Sequence, residues 1–447
     1  MAEISGFPYF EVQFTKDGAV HDEDEVRRVL DFVSGQPQGS VTDLIVISHG
    51  WNNDMGEARR TYGNLFALVR KQLDGNRPQG LEARNFAVLG ILWPSKKFAD
   101  EELTASGAAS FETDTEQAEI LQQLETLKGA FDNPDEDAII ERAKALVPLL
   151  DTDPNAATRF TDLIRSLPYK GEQHADDGTD KFFKMPAGEI VDVLSRPDVQ
   201  APPSGDEGGA ANFDSLADTS DQGGAAGFGD IFGGVKAAAR NVLNFTTYYQ
   251  MKVRAGTVGR GGVYQVLRRI RGKSSGMKIH LIGHSFGGRL VTAAANGPDG
   301  EPPVKPDSMT LLQAAFSHYG FAENFDGQRD GFFRKVIAEK KVTGPIIVTH
   351  SIKDNAVGIA YPIASKLSGD DAAGFGDQNS LYGGIGRNGA QITPEADNSI
   401  VLSPPTFAYS FKPGRLYNLK ADNVILGHSD IVRPEVAHVI LSVIAST

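Results

Sequence analysis

The sequence predicts an α/β protein with a mostly parallel central sheet, helices on both faces of that sheet and a helical insertion. Short apolar segments alternate with helical segments on either side of the insertion, which is the pattern of parallel strands joined by crossover helices. The segment Asp43-Leu44-Ile45-Val46-Ile47-Ser48 is apolar almost throughout, as expected for a strand covered on both faces. The pentapeptide Gly283-His284-Ser285-Phe286-Gly287 joins a predicted strand to a predicted helix.

The elements follow from apolar spacing along the chain of 447 residues. This length allows one large domain with an insertion, or two to three domains. Apolar runs bounded by turn residues predict strands at 9–14, 43–48, 85–93, 277–282, 308–315, 344–350 and 415–419. Helical spacing and helix-start signals predict helices at 21–32, 56–73, 235–254, 262–271, 288–295 and 434–444.

Residues 96–234 interrupt the strand–helix series, because no convincing buried strand falls among them. Their apolar residues recur at helical intervals, in groups at 120–127, 139–150 and 160–167. We therefore predict an α/β-core made of 1–95 and 235–447, with a helical insertion at 96–234. The insertion is either an ordinary helical subdomain or a cap over an active site, and we favour a cap. It ends in a Gly/Asp-rich stretch at 204–234 that we predict to be mobile, and 369–398 is a second such loop.

Composition excludes several classes of protein. A net charge of −14 and a pI near 5.2 argue against a nucleic-acid binder and against electrostatic docking on an anionic membrane. The chain has no cysteine, which excludes disulfides, thiolate catalysis and cysteine-ligated metal. It has no HExxH or EF-hand spacing either, so the sequence implies no metal and no other cofactor.

Residues 1–6 contain neither a basic region nor an apolar stretch of signal-peptide length. The chain also lacks a run of about 18 apolar residues, the length needed to span a membrane. We therefore expect a cytoplasmic protein without integral membrane association, unless a leader has been removed.

The pentapeptide at 283–287 is the strongest chemical signal. A strand, a tight turn and a helix place the hydroxyl of Ser285 at a sharp, exposed bend. The flanking glycines fit this interpretation, because a Cβ would clash where the turn crowds the backbone. Ser285 is thus the candidate nucleophile.

A serine nucleophile needs a base, and the base needs an acid to orient it. In this architecture the chain order is serine, acid, histidine. Asp354 follows the strand predicted at 344–350, and His428 lies in a loop before the closing helix, so we assign them as acid and base. Asp354 has an alternative role as the cap of a helix starting at Ala356. The rival acid Asp430 is only two residues from His428 and is poorly placed to orient its ring.

Three other histidines fit the base less well. His438 falls within the closing helix, where it packs or faces solvent. His350 ends a strand before the acid loop, and His280 lies inside the strand that leads to Ser285, where we expect it to be buried and hydrogen-bonded.

An acyl-transfer serine also needs backbone donors for the tetrahedral oxyanion. We assign one to the N–H of Phe286, the residue after the nucleophile. The second should come from the loop after an early strand, where Ile47-Ser48-His49-Gly50-Trp51 lies. We assign it to the N–H of Trp51, with Gly50 as the alternative. Trp51 can also be a packing residue at the sheet edge, which does not prevent the use of its N–H.

Residues 48–51 and 283–287, with Asp354 and His428, together resemble an α/β-hydrolase of the serine esterase and lipase kind. The resemblance covers roughly 9–95 and 235–447 and leaves the insertion unexplained. It implies a metal-free Ser-His-Asp triad and an acyl-enzyme intermediate. The chain departs from some esterases in having His49-Gly50-Trp51 where they carry a longer glycine run.

The sequence therefore favours a hydrolase that cleaves small-molecule or polymeric carboxylic esters. A serine peptidase or amidase with the same triad is the runner-up. A non-catalytic binding protein with a hydrolase shell is a different class of hypothesis. A dinucleotide oxidoreductase would rest only on Gly384-Ile385-Gly386-Arg387-Asn388-Gly389, which we interpret as a coincidental match because no strand directly precedes it.

Overall fold

A computed structural model of the chain describes residues 2–35, 40–51, 54–95, 115–131, 133–168, 174–196, 234–354, 356, 367 and 381–447. The predicted mobile stretch at 204–234 lies outside these residues except for Gly234, and so do residues 369–380 of the loop predicted at 369–398. The chain divides into two compact units. The first unit is Met1–Ser95, Arg254–Val357 and Gly383–Thr447, and the second is Lys96–Val253 and Gly358–Tyr382.

The strands of the described residues all lie in the first unit. They are β1 (Ala2–Ile4), β2 (Phe7–Gln13), β3 (Asp43–Ser48), β4 (Phe86–Leu92), β5 (Lys278–His284), β6 (Ser308–Leu312), β7 (Ile346–His350), β8 (Ala396–Val401) and β9 (Leu416–Lys420). They form one sheet in the order β1-β2-β4-β3-β5-β6-β7-β9-β8. β1 is antiparallel to β2, and every other neighbouring pair is parallel. The prediction of an α/β protein with a mostly parallel sheet is confirmed.

The helices are given in chain order across both units. They are α1 (Glu23–Gly35), α2 (Met55–Asp74), α3 (Thr115–Thr126), α4 (Glu136–Leu146), α5 (Ala156–Arg165), α6 (Thr179–Lys184), α7 (Ala187–Leu194), α8 (Val235–Thr257), α9 (Tyr264–Lys273), α10 (Phe286–Asn296), α11 (Arg334–Ala338), α12 (Ile385–Asn388) and α13 (Pro434–Ala445). None of these described helices is both long enough and apolar enough to cross a membrane.

Both faces of the sheet are buried. Ile45 and Ile47 of β3 lie in one apolar cluster with residues of α2 and α13. Leu44 and Val46 alternate with them and therefore point to the opposite face, where they are also fully buried. Helices α9 and α10 contact each other, and α10 also contacts β3 and β5. This two-sided burial explains why β3 is apolar almost throughout.

The direction of the chain connections changes between two neighbouring strands of the sheet. β3 pairs with β4 on one side and with β5 on the other. The chain continues from β3 towards β4 but from β5 towards β6, so the connections diverge between β3 and β5. In parallel α/β sheets, ligands bind at the carboxyl ends of the strands beside such a point. The candidate nucleophile follows β5, and residues 49–51 follow β3.

A π-helical turn, Val258–Val263, joins α8 to α9. The two helices predicted at 235–254 and 262–271 are therefore one continuous element. A Cβ at Gly259 would collide with the carbonyl oxygen of Leu290 in α10, and one at Gly262 would collide with that of Gly18. Glycine is required here because backbone touches backbone.

The structure differs from the predictions in several elements. The strand predicted at 308–315 ends at Leu312, because Gln313 takes a φ of 44° and turns the chain. The loop predicted at 369–398 contains α12 and the start of β8. Strands β1 and β8 were not predicted because β1 is short and β8 is a polar edge strand. Helices α6 and α7 were also missed.

The second unit contains a fully buried lysine. Lys252 of α8 has no exposed side-chain surface and forms an ion pair with Asp177, whose side chain is 5% exposed. The hydroxyl of Thr179 donates to the same carboxylate at 2.7 Å. A buried charge is tolerated when its partner and hydrogen bonds remain in place.

Lys252→Met should therefore lower the free energy of unfolding by about 3–5 kcal/mol, because it leaves the Asp177 carboxylate buried without its cation. The double variant Lys252→Met/Asp177→Asn should recover a large part of that loss. Urea unfolding of both variants measures the difference. Equal losses in the single and double variants would contradict the ion-pair interpretation.

Candidate active site

Ser285 lies between β5 and α10 in an unusual backbone conformation. Its φ is 56° and its ψ is −126°, a region that residues with a side chain seldom occupy. The N–H of Ser285 donates to the carbonyl of Leu312 at 3.1 Å, and its carbonyl accepts from Ala315 N–H at 2.9 Å. These bonds to the end of β6 hold the sharp turn that presents the side chain.

The glycines of the pentapeptide are required by close contact. A Cβ at Gly283 would collide with the carbonyl oxygen of Gly287 across the turn. A Cβ at Gly287 would collide with the carbonyl oxygens of Ser48 and His49, at the end of β3. The first turn of α10 therefore sits directly against the neighbouring strand.

The three residues assigned as nucleophile, base and acid lie in contact with one another. His428 Nε2 is 2.7 Å from Ser285 Oγ. His428 Nδ1 is 3.0 Å from Asp354 Oδ1 and 2.9 Å from Oδ2. Because the carboxylate can only accept from Nδ1–H, Nε2 is left to accept the serine proton. The exposed fraction is 5% for Ser285, and 10% and 0% for the His428 and Asp354 side chains.

The rival residues are engaged elsewhere. The Asp430 carboxylate accepts from Arg433 at 2.6 and 2.7 Å and from Leu426 N–H at 3.0 Å. His438 is buried in α13 and donates to the Phe407 carbonyl at 2.7 Å.

The loop after β3 approaches the nucleophile closely. A Cβ at Gly50 would lie 2.7 Å from Ser285 Cβ. The rings of Trp51 and Phe286 meet edge to face, with centroids 6.1 Å apart. Phe286 is the first residue of α10, so its N–H lies at a helix N-terminus, where partial positive charge favours an anion. The residues proposed as oxyanion donors are thus neighbours beside Ser285.

His49 orders this loop through both ring nitrogens. Its Nδ1–H donates to the Gly50 carbonyl at 2.9 Å, and its Nε2 accepts from Trp93 N–H at 3.3 Å. The indole N–H of Trp93 donates to the His49 carbonyl at 3.0 Å. Burial lowers the pKa of His49 to about 4, so the ring is neutral at pH 7.

Sequence reasoning missed two residues of the site. His284 Nε2–H donates to the His428 carbonyl at 2.9 Å. Burial, and to a smaller extent the nearby His428, lowers the pKa of His284 to about 3. Gln313 Nε2–H lies 3.3 Å from Asp354 Oδ2. The x position of the pentapeptide could have drawn attention to His284, whereas no sequence pattern indicates Gln313.

The glycine-rich segment 384–389 contacts residues 351–354, the loop after β7 that carries Asp354. The Gly386 carbonyl accepts from Gln313 Nε2–H at 2.8 Å and from Ser351 N–H at 3.0 Å. The Arg387 guanidinium donates to the carbonyls of Ile352 and Asp354. A Cβ at Gly386 would lie 2.5 Å from the Gln313 carbonyl carbon, so close packing accounts for the glycine at this position.

A second serine–histidine–aspartate chain lies at the opposite end of the sheet. Ser308 Oγ is 2.8 Å from His280 Nδ1, and His280 Nε2 is 2.8 Å from Asp43 Oδ1. Ser308 and His280 are each 1% exposed and Asp43 is fully buried. The Asp43 carboxylate also pairs with Arg84. The expectation that His280 is buried and hydrogen-bonded is confirmed. Because Ser308, His280 and Asp43 are buried, a substrate cannot reach this second serine.

Comparison with protein-family models, with curated proteins and with solved structures finds no match for this chain. Among the residues that the structure describes, no three His, Asp or Glu side chains gather in a way that could hold a metal ion. The case for a function therefore rests on the geometry of Ser285, His428 and Asp354.

Buried neutral histidines make stability depend on pH. Burial lowers the pKa of His49 to about 4 and that of His318 to about 3, against about 6.5 in an unfolded chain. At a pH between the folded and unfolded pKa values, the unfolded state binds more protons than the folded state. The free energy of unfolding should therefore fall as the pH falls below about 6.5. Each histidine contributes a slope of up to about 1.4 kcal/mol per pH unit.

Urea unfolding at pH 7, 6 and 5 measures this slope. His318→Asn should make the slope shallower by about one proton, whereas His21→Asn at an exposed position should leave it unchanged. Equal slopes in the wild type and His318→Asn would contradict the lowered pKa of His318.

Proposed function

We propose that this protein is a serine hydrolase of the α/β-hydrolase kind that cleaves carboxylic esters through an acyl-enzyme intermediate. The observation that supports it best is the continuous chain of contacts from Ser285 Oγ to His428 Nε2 and from His428 Nδ1 to Asp354. Ser285 occupies a positive-φ turn between a strand and a helix, as a nucleophile elbow does. The order serine, aspartate, histidine along the chain also fits this class.

In the first half of the reaction, Ser285 Oγ attacks the acyl carbonyl while His428 Nε2 takes the serine proton. The imidazolium that forms is stabilised by the Asp354 carboxylate through Nδ1–H. The N–H groups of Phe286 and Trp51 bind the oxyanion. His428 then returns the proton to the leaving alcohol.

In the second half, a water molecule attacks the acyl-enzyme with His428 as its base, which frees the acid and restores Ser285. The neutral ring of His284 donates to the carbonyl of His428 and so helps to hold the base loop through both halves. The cap function of the helical insertion remains a prediction.

Ser285→Ala should abolish hydrolysis of p-nitrophenyl butyrate, with a loss on the order of 10⁴-fold or more, because no other group supplies the nucleophile. Ser308→Ala is the matched control, since it removes the serine of the buried chain and should leave kcat unchanged. Labelling by a fluorophosphonate probe should follow the same pattern. Full activity in folded Ser285→Ala protein would overturn the proposal.

The same assay separates the alternative functions. Faster cleavage of a p-nitroanilide than of the matching ester would identify an amidase or peptidase. Failure of the fluorophosphonate to label the folded wild-type protein would favour a non-catalytic binding protein.

Gly50→Ala should reduce kcat by about 100-fold or more, because its Cβ would lie 2.7 Å from Ser285 Cβ and displace the nucleophile or the loop. Gly63→Ala is the control, since a Cβ there meets nothing within 4 Å in helix α2. That control should keep wild-type kcat and gain about 0.5–1 kcal/mol in stability. Wild-type kcat in Gly50→Ala would show that this loop lies outside the reaction.

A further inference from the structure

We propose that Gln313 is a positioning residue that holds the Asp354 carboxylate in place for His428, an inference that rests on the proposed hydrolase function. Gln313 follows β6 and has no exposed surface. Its Nε2–H group lies 3.3 Å from Asp354 Oδ2 and 2.8 Å from the Gly386 carbonyl oxygen. It touches the acid and lies outside the contacts that Ser285 and His428 make with each other.

The orientation of the Gln313 amide follows from its partners. The hydroxyl of Thr349 accepts from Gln313 N–H at 3.2 Å, so its own proton is available to donate to Gln313 Oε1 at 2.8 Å. A flipped amide would point Oε1 at two acceptors, the Gly386 carbonyl and the Asp354 carboxylate. Nε2 therefore faces the acid.

The backbone of Gln313 is strained and closely packed. Gln313 has a φ of 44°, which is uncommon for a residue with a side chain. A Cβ at Gly386 would lie 2.5 Å from the Gln313 carbonyl carbon, so segment 384–389 packs directly on it. A strained, fully buried residue of this kind persists only when its surroundings hold it in place.

The amide has two effects on the acid. It occupies one side of Oδ2, which leaves the carboxylate oriented towards His428 Nδ1. The amide N–H also donates to the Asp354 carboxylate and partly offsets its negative charge. This limits how strongly the carboxylate stabilises the imidazolium of His428. Without the amide, the ring should be less well aligned and should hold its proton to a higher pH.

Other charges near this pair stay constant in the test. Arg387 donates to the backbone carbonyls of Ile352 and Asp354. The pKa of His284 is lowered to about 3 by burial and by His428, so its ring stays neutral above pH 5. A change in the pH profile of a Gln313 variant would thus arise from the contact with Asp354.

The test compares Gln313→Met with Ser308→Ala, which removes a buried hydrogen bond at the other end of the same strand. Gln313→Met should lower kcat on p-nitrophenyl butyrate by about 10- to 100-fold, leave KM within about twofold and move the acid limb of the pH–rate profile to higher pH. Ser308→Ala should lose stability while its kcat and pH profile stay unchanged. Gln313→Leu, which also lacks the amide donor and adds no charge, should lose kcat in the same way if the methionine variant fails to fold.

Wild-type kcat and an unchanged acid limb in a folded Gln313 variant would overturn the inference. A fluorophosphonate that fails to label the wild type would instead refute the hydrolase. In that case the downfield proton resonance of His428 Nδ1–H still tests the contact. It should shift or broaden in Gln313→Met and stay in place in Ser308→Ala, and an unchanged resonance in both would reject the positioning role.

Discussion

The positive φ of Ser285 is the constraint on which the rest of the site depends. Such a conformation costs about 1–3 kcal/mol and persists only when the surrounding chain compensates for it. Here the compensation comes from two bonds to residues 312 and 315, and from glycines that let α10 touch the end of β3. The chain connections diverge between β3 and β5, and this turn lies there at the carboxyl ends of the strands. Asp354 and His428 lie on later loops at the same end of the sheet.

The fold and the main site residues follow from local pattern, and the supporting contacts do not. Ser285, Asp354 and His428 each lie at an element boundary that apolar spacing locates, so their convergence could be predicted from chain order. Gln313 could not, because its role depends on a turn that ends β6 three residues before the predicted end, and on contact with residue 386. The edge strand β8 was missed for a similar reason, since its polar residues are stabilised by pairing with β9 rather than by apolar alternation.

The two serine–histidine–aspartate chains have similar distances but different surroundings. Ser308 lies within a regular strand with an ordinary backbone, and its partner Asp43 is shared with Arg84. Ser285 lies on a strained turn at a helix N-terminus, and the carboxylate of its partner Asp354 accepts from the neutral amide of Gln313. Hydrogen-bond geometry alone therefore does not define a candidate nucleophile. Backbone conformation and the position at a helix N-terminus distinguish the surroundings of Ser285 from those of Ser308.

The contact between Gly259 and Leu290 has a mechanical consequence for the helix that follows the nucleophile. Side chains between packed helices can change rotamer and absorb small displacements, but two backbones in direct contact have no such freedom. Helix α10 therefore cannot shift towards the π-helical turn on that side without a backbone clash. In the reaction proposed for Ser285, the atoms that move should therefore be those of the substrate and of the loop that carries His428, rather than those of α10.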